Sequence, residues 1–105
     1  MNATLISNLR AQCDGPRDGA LLRFALGQAL LSAGDASAAA LELQRAVDYD
    51  PKYSAAWKLL GKARLTNDDL AGARMAWQQG IEAAQGHGDK QAEKEMAVFL
   101  RRLPS

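Results

Sequence analysis

The sequence predicts an all-α chain of about six helices: two stacked antiparallel helix pairs, a half unit ahead of them and a capping helix behind. Three observations carry that reading. A 34-residue period runs through the chain, in which Leu26-Gly27 recurs as Leu60-Gly61, and the same offset takes Ala39 to Ala73, Leu43 to Trp77, Ala46 to Gly80 and Gly34-Asp35 to Asp68-Asp69. A period of that length marks a stacked array, in which each unit buries the apolar face of its neighbour. Between turn signals, apolar residues fall at three- and four-residue spacings, which puts them on one face of a helix. No segment alternates apolar and polar residues with period two, so no strand is expected.

The first helix is expected over residues 3–13, where Leu5, Ile6, Leu9 and Cys13 form a stripe that stops at Asp14-Gly15-Pro16. It stands where the second helix of an incomplete unit would stand, and it covers the N-terminal end of the stack. The first full unit spans 20–51. Its first helix, Ala20 to Ala33, aligns Leu22, Leu26, Ala29 and Leu30, with Asp18 or Gly19 placed to begin it. After Gly34-Asp35 the second helix, Ala36 to Tyr49, aligns Ala39, Leu43, Ala46 and Val47. Asp50-Pro51 ends it, because a residue before proline is driven out of helical geometry.

The second unit spans 54–85. Ser54 to Leu65 turns Trp57, Leu60 and Gly61 to one face, and Thr66-Asn67-Asp68 makes the turn. Aspartates at the next N-terminus are placed to accept from its unpaired backbone N–H groups. Leu70 to Gln85 then aligns Leu70, Ala73, Trp77, Gly80 and Ile81. After the loop Gln85-Gly86-His87-Gly88, residues 89–103 put Ala92, Met96, Phe99 and Leu103 on one face, the pattern of a helix that closes the C-terminal end of a stack.

Composition fits one folded unit over 1–105, since 48% of the residues are apolar, 24% charged, and glycine and proline number only nine and three. Thirteen basic and twelve acidic residues are dispersed along the chain, so no global field draws nucleic acid or an anionic membrane. Cys13 is the one cysteine, which excludes an internal disulfide and a thiolate cluster and suits a reducing, cytoplasmic location. No basic segment precedes a long apolar run at the N-terminus and no apolar stretch exceeds five residues, so neither a signal peptide nor a membrane span is expected.

Catalysis finds little support. His87 lies between two glycines in a loop, so a metal site or a Ser/His or Cys/His pair would have to recruit it from flexible backbone. Glu93 and Glu95, two apart on a helix, do not face each other, and no phosphate-binding G-x-x-x-x-G-K segment occurs. The helical spacing of Trp57 and Trp77 makes them core residues. No enzyme activity and no cofactor are expected.

Over about residues 20–85 the chain resembles the tetratricopeptide repeat family. That family's pattern has a large residue, Leu-Gly three and four positions on, Ala twelve beyond the Gly, an aromatic residue four later, a small residue three later and a final Pro. The second unit supplies Trp57, Leu60, Gly61, Ala73, Trp77 and Gly80, with Gln85 in place of the proline. The first supplies Leu26, Gly27, Ala39, Ala46 and Pro51, with Leu43 at the aromatic place. Arg23 stands at the large place of the first unit, and Arg64 at an aromatic place late in the first helix of the second, so each must reach water or pair with a carboxylate. Gly27 and Gly61 lie mid-helix, where glycine costs about 0.5–1 kcal/mol relative to alanine. Close helix approach must offset that, with Ala39 and Ala73 opposite and Leu43 and Trp77 filling the gap.

The resemblance implies a right-handed solenoid whose successive first helices line a concave groove for an extended peptide or partner helix. With Trp57, Leu60, Gly61 and Arg64 turned inward, 100° per residue places Ala55, Lys58, Lys62 and Leu65 on the groove flank, with Thr66 at its edge. The repeat offset adds Leu21, Phe24, Gln28 and Leu31, and the capping helix would add Glu93, Ala97, Leu100 and Arg101. Such a groove is apolar at one wall and basic in the middle. Lys58 and Lys62, one turn apart, are spaced to receive a carboxylate jointly, as in family members that clamp a partner's C-terminal carboxylate with Lys and Asn. Gln28 and Lys62 suit a clamp and the Asn residues are missing, so two solvated lysines on a helix face is the other reading.

The expected function is therefore a peptide- or protein-binding module of adaptor, scaffold or co-chaperone kind, taking a partner with an acidic or C-terminal carboxylate. The chain would be a monomer or weak homodimer, with no nucleic acid and no membrane as partner. A self-associating homodimer joined through the ends or the Phe24 patch is the alternative. An RNA-binding helical array is a third reading, against which the near-neutral charge stands.

Overall fold

The structure, a computed structural model, describes residues 2–104; Met1 and Ser105, the two ends of the expected 1–105 unit, lie outside the described residues. Among the described residues there are six α-helices and no strand: α1 (Asn2–Gln12), α2 (Ala20–Ser32), α3 (Ala36–Tyr49), α4 (Ser54–Thr66), α5 (Leu70–Gly86) and α6 (Lys90–Arg102). Every predicted helix is there. α3 has the expected ends, α2, α4 and α5 differ by one residue at one end, and α1 and α6 by one residue at each end. Each helix packs on the next in the chain, most closely α2 on α3 and α4 on α5, and the stack measures 38 × 28 × 19 Å.

Three of the connections share one design. Asp35, Asp69 and Asp89 are N-caps whose carboxylates accept the backbone N–H of Ala38, Gly72 and Ala92. Immediately before each stands a left-handed residue, Gly34 (φ 88°), Asp68 (φ 60°) and Gly88 (φ 74°), so the chain reverses and starts the next helix within two residues. Aspartate tolerates the left-handed region better than most side chains, which is why Asp68 serves where the other two turns use glycine. Asp35→Ala should cost about 1 kcal/mol, as loss of an N-cap does. That lowers the melting temperature by about 4–8 °C in a chain of this size; a shift within experimental scatter would deny the cap any share in stability.

α2 starts differently. Gly19 is its N-cap and makes no side-chain cap, while Asp18, the other candidate, accepts the Gly19 N–H and grips Arg23. Arg23 is 5% exposed and lies 2.7 Å from both Asp18 and Glu42, so of the two fates open to it the buried pairing is realised. Arg64 takes neither fate in full: its guanidinium donates to the Gly72 carbonyl and to the Gln44 side chain, neutral oxygens both.

The seams between helices explain the mid-helix glycines. A Cβ at Gly27 would overlap the Leu43 side chain, and one at Gly61 would overlap the Trp77 indole. Trp77 is buried, donates its indole N–H to the Lys58 carbonyl at 3.0 Å, and has Phe99 against it at 5.1 Å. Gly80 likewise leaves room for Met96 and Trp57, which ties α6 to the second unit. Leu60 and Gly61 are buried as expected, whereas Trp57 is only half-buried and donates to the Pro51 carbonyl at 2.8 Å. No helix among the described residues is long and apolar enough to cross a membrane.

Candidate functional site

α2, α4 and α6 are the first helices of successive units, and they touch one another past the intervening second helices, so they form a continuous wall. On α2, Leu21 is 74% exposed and Gln28 is exposed, while Phe24 and Leu31 are half-buried against the core. Phe24 is less conspicuous than its pattern implied, because its ring lies 5.0 Å from that of Tyr53 in the α3–α4 connection. On α4, Ala55 and Lys58 are half-buried and Lys62, Leu65 and Thr66 exposed. The Thr66 hydroxyl donates to the Lys62 carbonyl and so closes the last turn.

The two lysines do not act as a pair. Lys58 Nζ lies 2.9 Å from Glu95 Oε1 of α6, whereas Lys62 Nζ sits over the Phe99 ring, 5.1 Å from its centre. The Lys58–Glu95 pair is partly exposed and contributes at most about 1 kcal/mol. Its presence leaves Lys58 engaged, while Lys62 has no carboxylate partner among the described residues.

α6 begins 36 residues after α4, and not 34. α5 has 17 residues where α3 has 14, and the connection that follows is one residue shorter than its counterpart. In the longer offset Ala56 corresponds to Ala92 and Leu60 to Met96, and all four are buried. The groove positions of α6 shift accordingly. Glu93, expected on the flank, instead accepts a hydrogen bond from Gln85 of α5 at 3.1 Å, Ala97 and Leu100 are half-buried, and Arg101 is exposed. Ser54 Oγ donates to Asp89 at 3.0 Å and links the starts of α4 and α6. The Ala92 N–H and this hydroxyl hold the Asp89 carboxyl below its usual range.

Among the described residues, no arrangement resembles an activated nucleophile or a metal cage. Burial raises the Cys13 thiol above its ordinary value, the reverse of what a reactive thiolate needs. His87 is exposed at the end of α5, and no group of three or more His, Cys, Asp or Glu among the described residues is placed to hold a metal ion.

The wall can be set beside known proteins. The tetratricopeptide repeat profile matches residues 24–88. A TPR repeat-containing protein of Pseudomonas aeruginosa is 69% identical over 86 residues, which is 82% of this chain and 82% of that protein. The crystal structure of the Sgt2 TPR domain from Aspergillus fumigatus superposes with a TM-score of 0.79 at 31% identity, covering 96% of this chain and 66% of that one. A heat-shock protein cognate co-chaperone of the same fungus is 43% identical over 63 residues, 60% of this chain but only 18% of that protein. The 34-residue period, the glycine seams and these likenesses agree: the chain belongs to the tetratricopeptide repeat family.

Proposed function

We propose that this protein-interaction module takes an extended segment of a protein partner along the wall formed by α2, α4 and α6, with Leu21, Phe24, Gln28, Leu31, Lys62, Leu65 and Arg101 as the contact residues. One observation carries it: Leu21, Gln28, Lys62, Leu65 and Arg101 are all exposed on the three helices that form the wall, two of them large apolar residues. Lys62 and Arg101 have no carboxylate partner among the described residues, which favours acidic partner segments. A joint Lys58–Lys62 clamp on a chain terminus would first have to displace Glu95, so Lys58 enters the site as a supporting residue. The likeness to a co-chaperone supports an adaptor role, and the single unpaired Cys13 suits the cytoplasm.

Capture of partners from lysate of the source cells, identified by mass spectrometry, should be lost on Leu21→Glu/Lys62→Glu. Both side chains are exposed, so melting should be unchanged, and affinity for the identified segment should fall by about tenfold or more, a loss of about 1.4 kcal/mol. Retention of every partner by the double variant would refute the groove.

A further inference from the structure

Beyond Leu65 the groove ends in a hollow of about 240 Å³, lined by Leu65, Trp77, Phe99, Arg102, Leu103 and Pro104. That is smaller than the usual small-molecule pocket of about 300–1,000 Å³ and suits a single bulky side chain. Its walls come from three helices and the segment after the last of them. Trp77 is pinned by its bond to the Lys58 carbonyl and by the Phe99 ring, and past the end of α6 the chain turns extended at Leu103, with the Pro104 carbonyl held by Arg74 at 3.0 Å.

Charge around this hollow is one-sided. Arg10, Arg23, Arg45 and Lys58 all have carboxylate partners, and Glu95 has already engaged Lys58. Lys62, which covers one face of Phe99, and the exposed Arg102 on the rim have none among the described residues. Two cations without a carboxylate partner among the described residues thus stand where the apolar hollow opens. Scattered exposed apolar residues need no partner, but a preformed apolar hollow rimmed by unopposed cations is a binding feature.

We propose that this hollow is the anchor of the groove, taking a bulky apolar side chain of the partner while Lys62 and Arg102 take acidic side chains beside it in the partner's sequence. The inference rests on the groove reading above and narrows the partner to internal acidic segments that carry an aliphatic or aromatic residue. Glu95 becomes the residue that directs the acid to this end, because it removes Lys58 from competition.

Two indole signals supply the test. Trp77 lines the hollow, whereas Trp57 bonds to the Pro51 carbonyl and does not, so it serves as an internal control. The probe is a peptide blocked at both ends, with a central leucine flanked by glutamates. In 1H-15N spectra it should shift the Trp77 indole saturably and leave Trp57 in place. Lysines in place of the glutamates, or Lys62→Glu/Arg102→Glu in the protein, should weaken binding by about tenfold or more. If Trp77 stays still while amides near Leu21 and Gln28 move, the anchor is refuted and the groove reading stands. A Trp77 signal unmoved at millimolar peptide, with no movement elsewhere, also refutes the anchor, and the groove is then judged by its own capture assay. Equal binding of the lysine peptide would overturn the charge assignment. Binding only of a peptide with a free C-terminal carboxylate would overturn the choice of an internal segment.

Discussion

Gly61→Leu should lower the melting temperature by about 10–20 °C. A Cβ at this position would overlap the Trp77 indole, and moving the ring would disturb its contact with Phe99 of α6 and its N–H bond to the Lys58 carbonyl. Overpacking a closed core costs about 1–3 kcal/mol, and a displaced indole would also give up a hydrogen bond of about 1 kcal/mol. Against these stands about 1 kcal/mol from replacing a mid-helix glycine by a better helix former. A net loss near the top of the 1–3 kcal/mol range corresponds to the shift given, at about 4–8 °C per kcal/mol for a chain of this size. Gly27→Ala should be milder, because it meets the branched end of Leu43, a side chain that can turn. Gly86→Ala, with nothing within 4 Å of the added carbon, should be neutral or slightly stabilising. Equal melting of the Gly61 and Gly86 variants would remove the reason for glycine at the seam. The same substitution disturbs a wall of the hollow, so the peptide probe should bind it more weakly even below its melting temperature.

The contrast of Gly27 and Gly61 with Gly86 was readable from spacing, since the first two share a repeat position that Gly86 does not. The helices were equally readable: each is bounded by residues with strong local preferences, such as Asp35, Asp50-Pro51 and Asp69, and each carries an apolar stripe at helical spacing. What the pattern concealed was the register of α6. The stripe of Ala92, Met96, Phe99 and Leu103 is visible in the sequence, but it does not show how α6 sits against α4, and so not that Glu95 is the carboxylate that meets Lys58. Only contact between helices distant in sequence reveals that, and with it the loss of Lys58 to an internal ion pair. Phe24 shows the same limit, because Tyr53, which half-covers it, lies in a connection and belongs to no stripe. The hollow beside Phe99 was hidden for a related reason: it is assembled from three helices and the segment after the last of them.

Arg23→Leu should be the other severe substitution, although it restores an apolar residue where the family pattern carries a large one. The guanidinium is wedged between Asp18 and Glu42, whose side chains are each about 6% exposed, so its removal strands two buried carboxylates. Breaking one member out of a buried ionic group costs about 3–5 kcal/mol in general. Here Glu42 keeps Arg45 at 3.0 Å, and Asp18 keeps the backbone N–H groups of Asp14 and Gly19, which brings the expected loss to about 2–4 kcal/mol. Replacing the group as a whole, Arg23→Leu with Asp18→Asn and Glu42→Leu, should recover most of it, because well-packed apolar residues often match a buried ionic cluster in stability.

Acid separates the ionic contribution from simple packing. The hydrogen bond from Arg23, then that from the Asp14 N–H, holds the Asp18 carboxyl well below the usual carboxylate range. A carboxyl depressed in the folded state stabilises the protein fully above its unfolded pKa of about 4, and that contribution fades as pH falls toward the folded value. Wild type should therefore lose stability below about pH 4 more steeply than Arg23→Leu, and the gap between them should be smaller at pH 3 than at pH 7 in denaturant melts. A gap unchanged between those two pH values would mean that the pair contributes nothing and the arginine matters only for its bulk. The distinction reaches the proposed binding wall, because Asp18 and Arg23 fix where α2 begins, with Leu21 between them and Phe24 next to Arg23. An Arg23 variant that stays folded should therefore shift the amide signals of Leu21 and Phe24 while leaving Trp77, at the far end of the groove, unchanged.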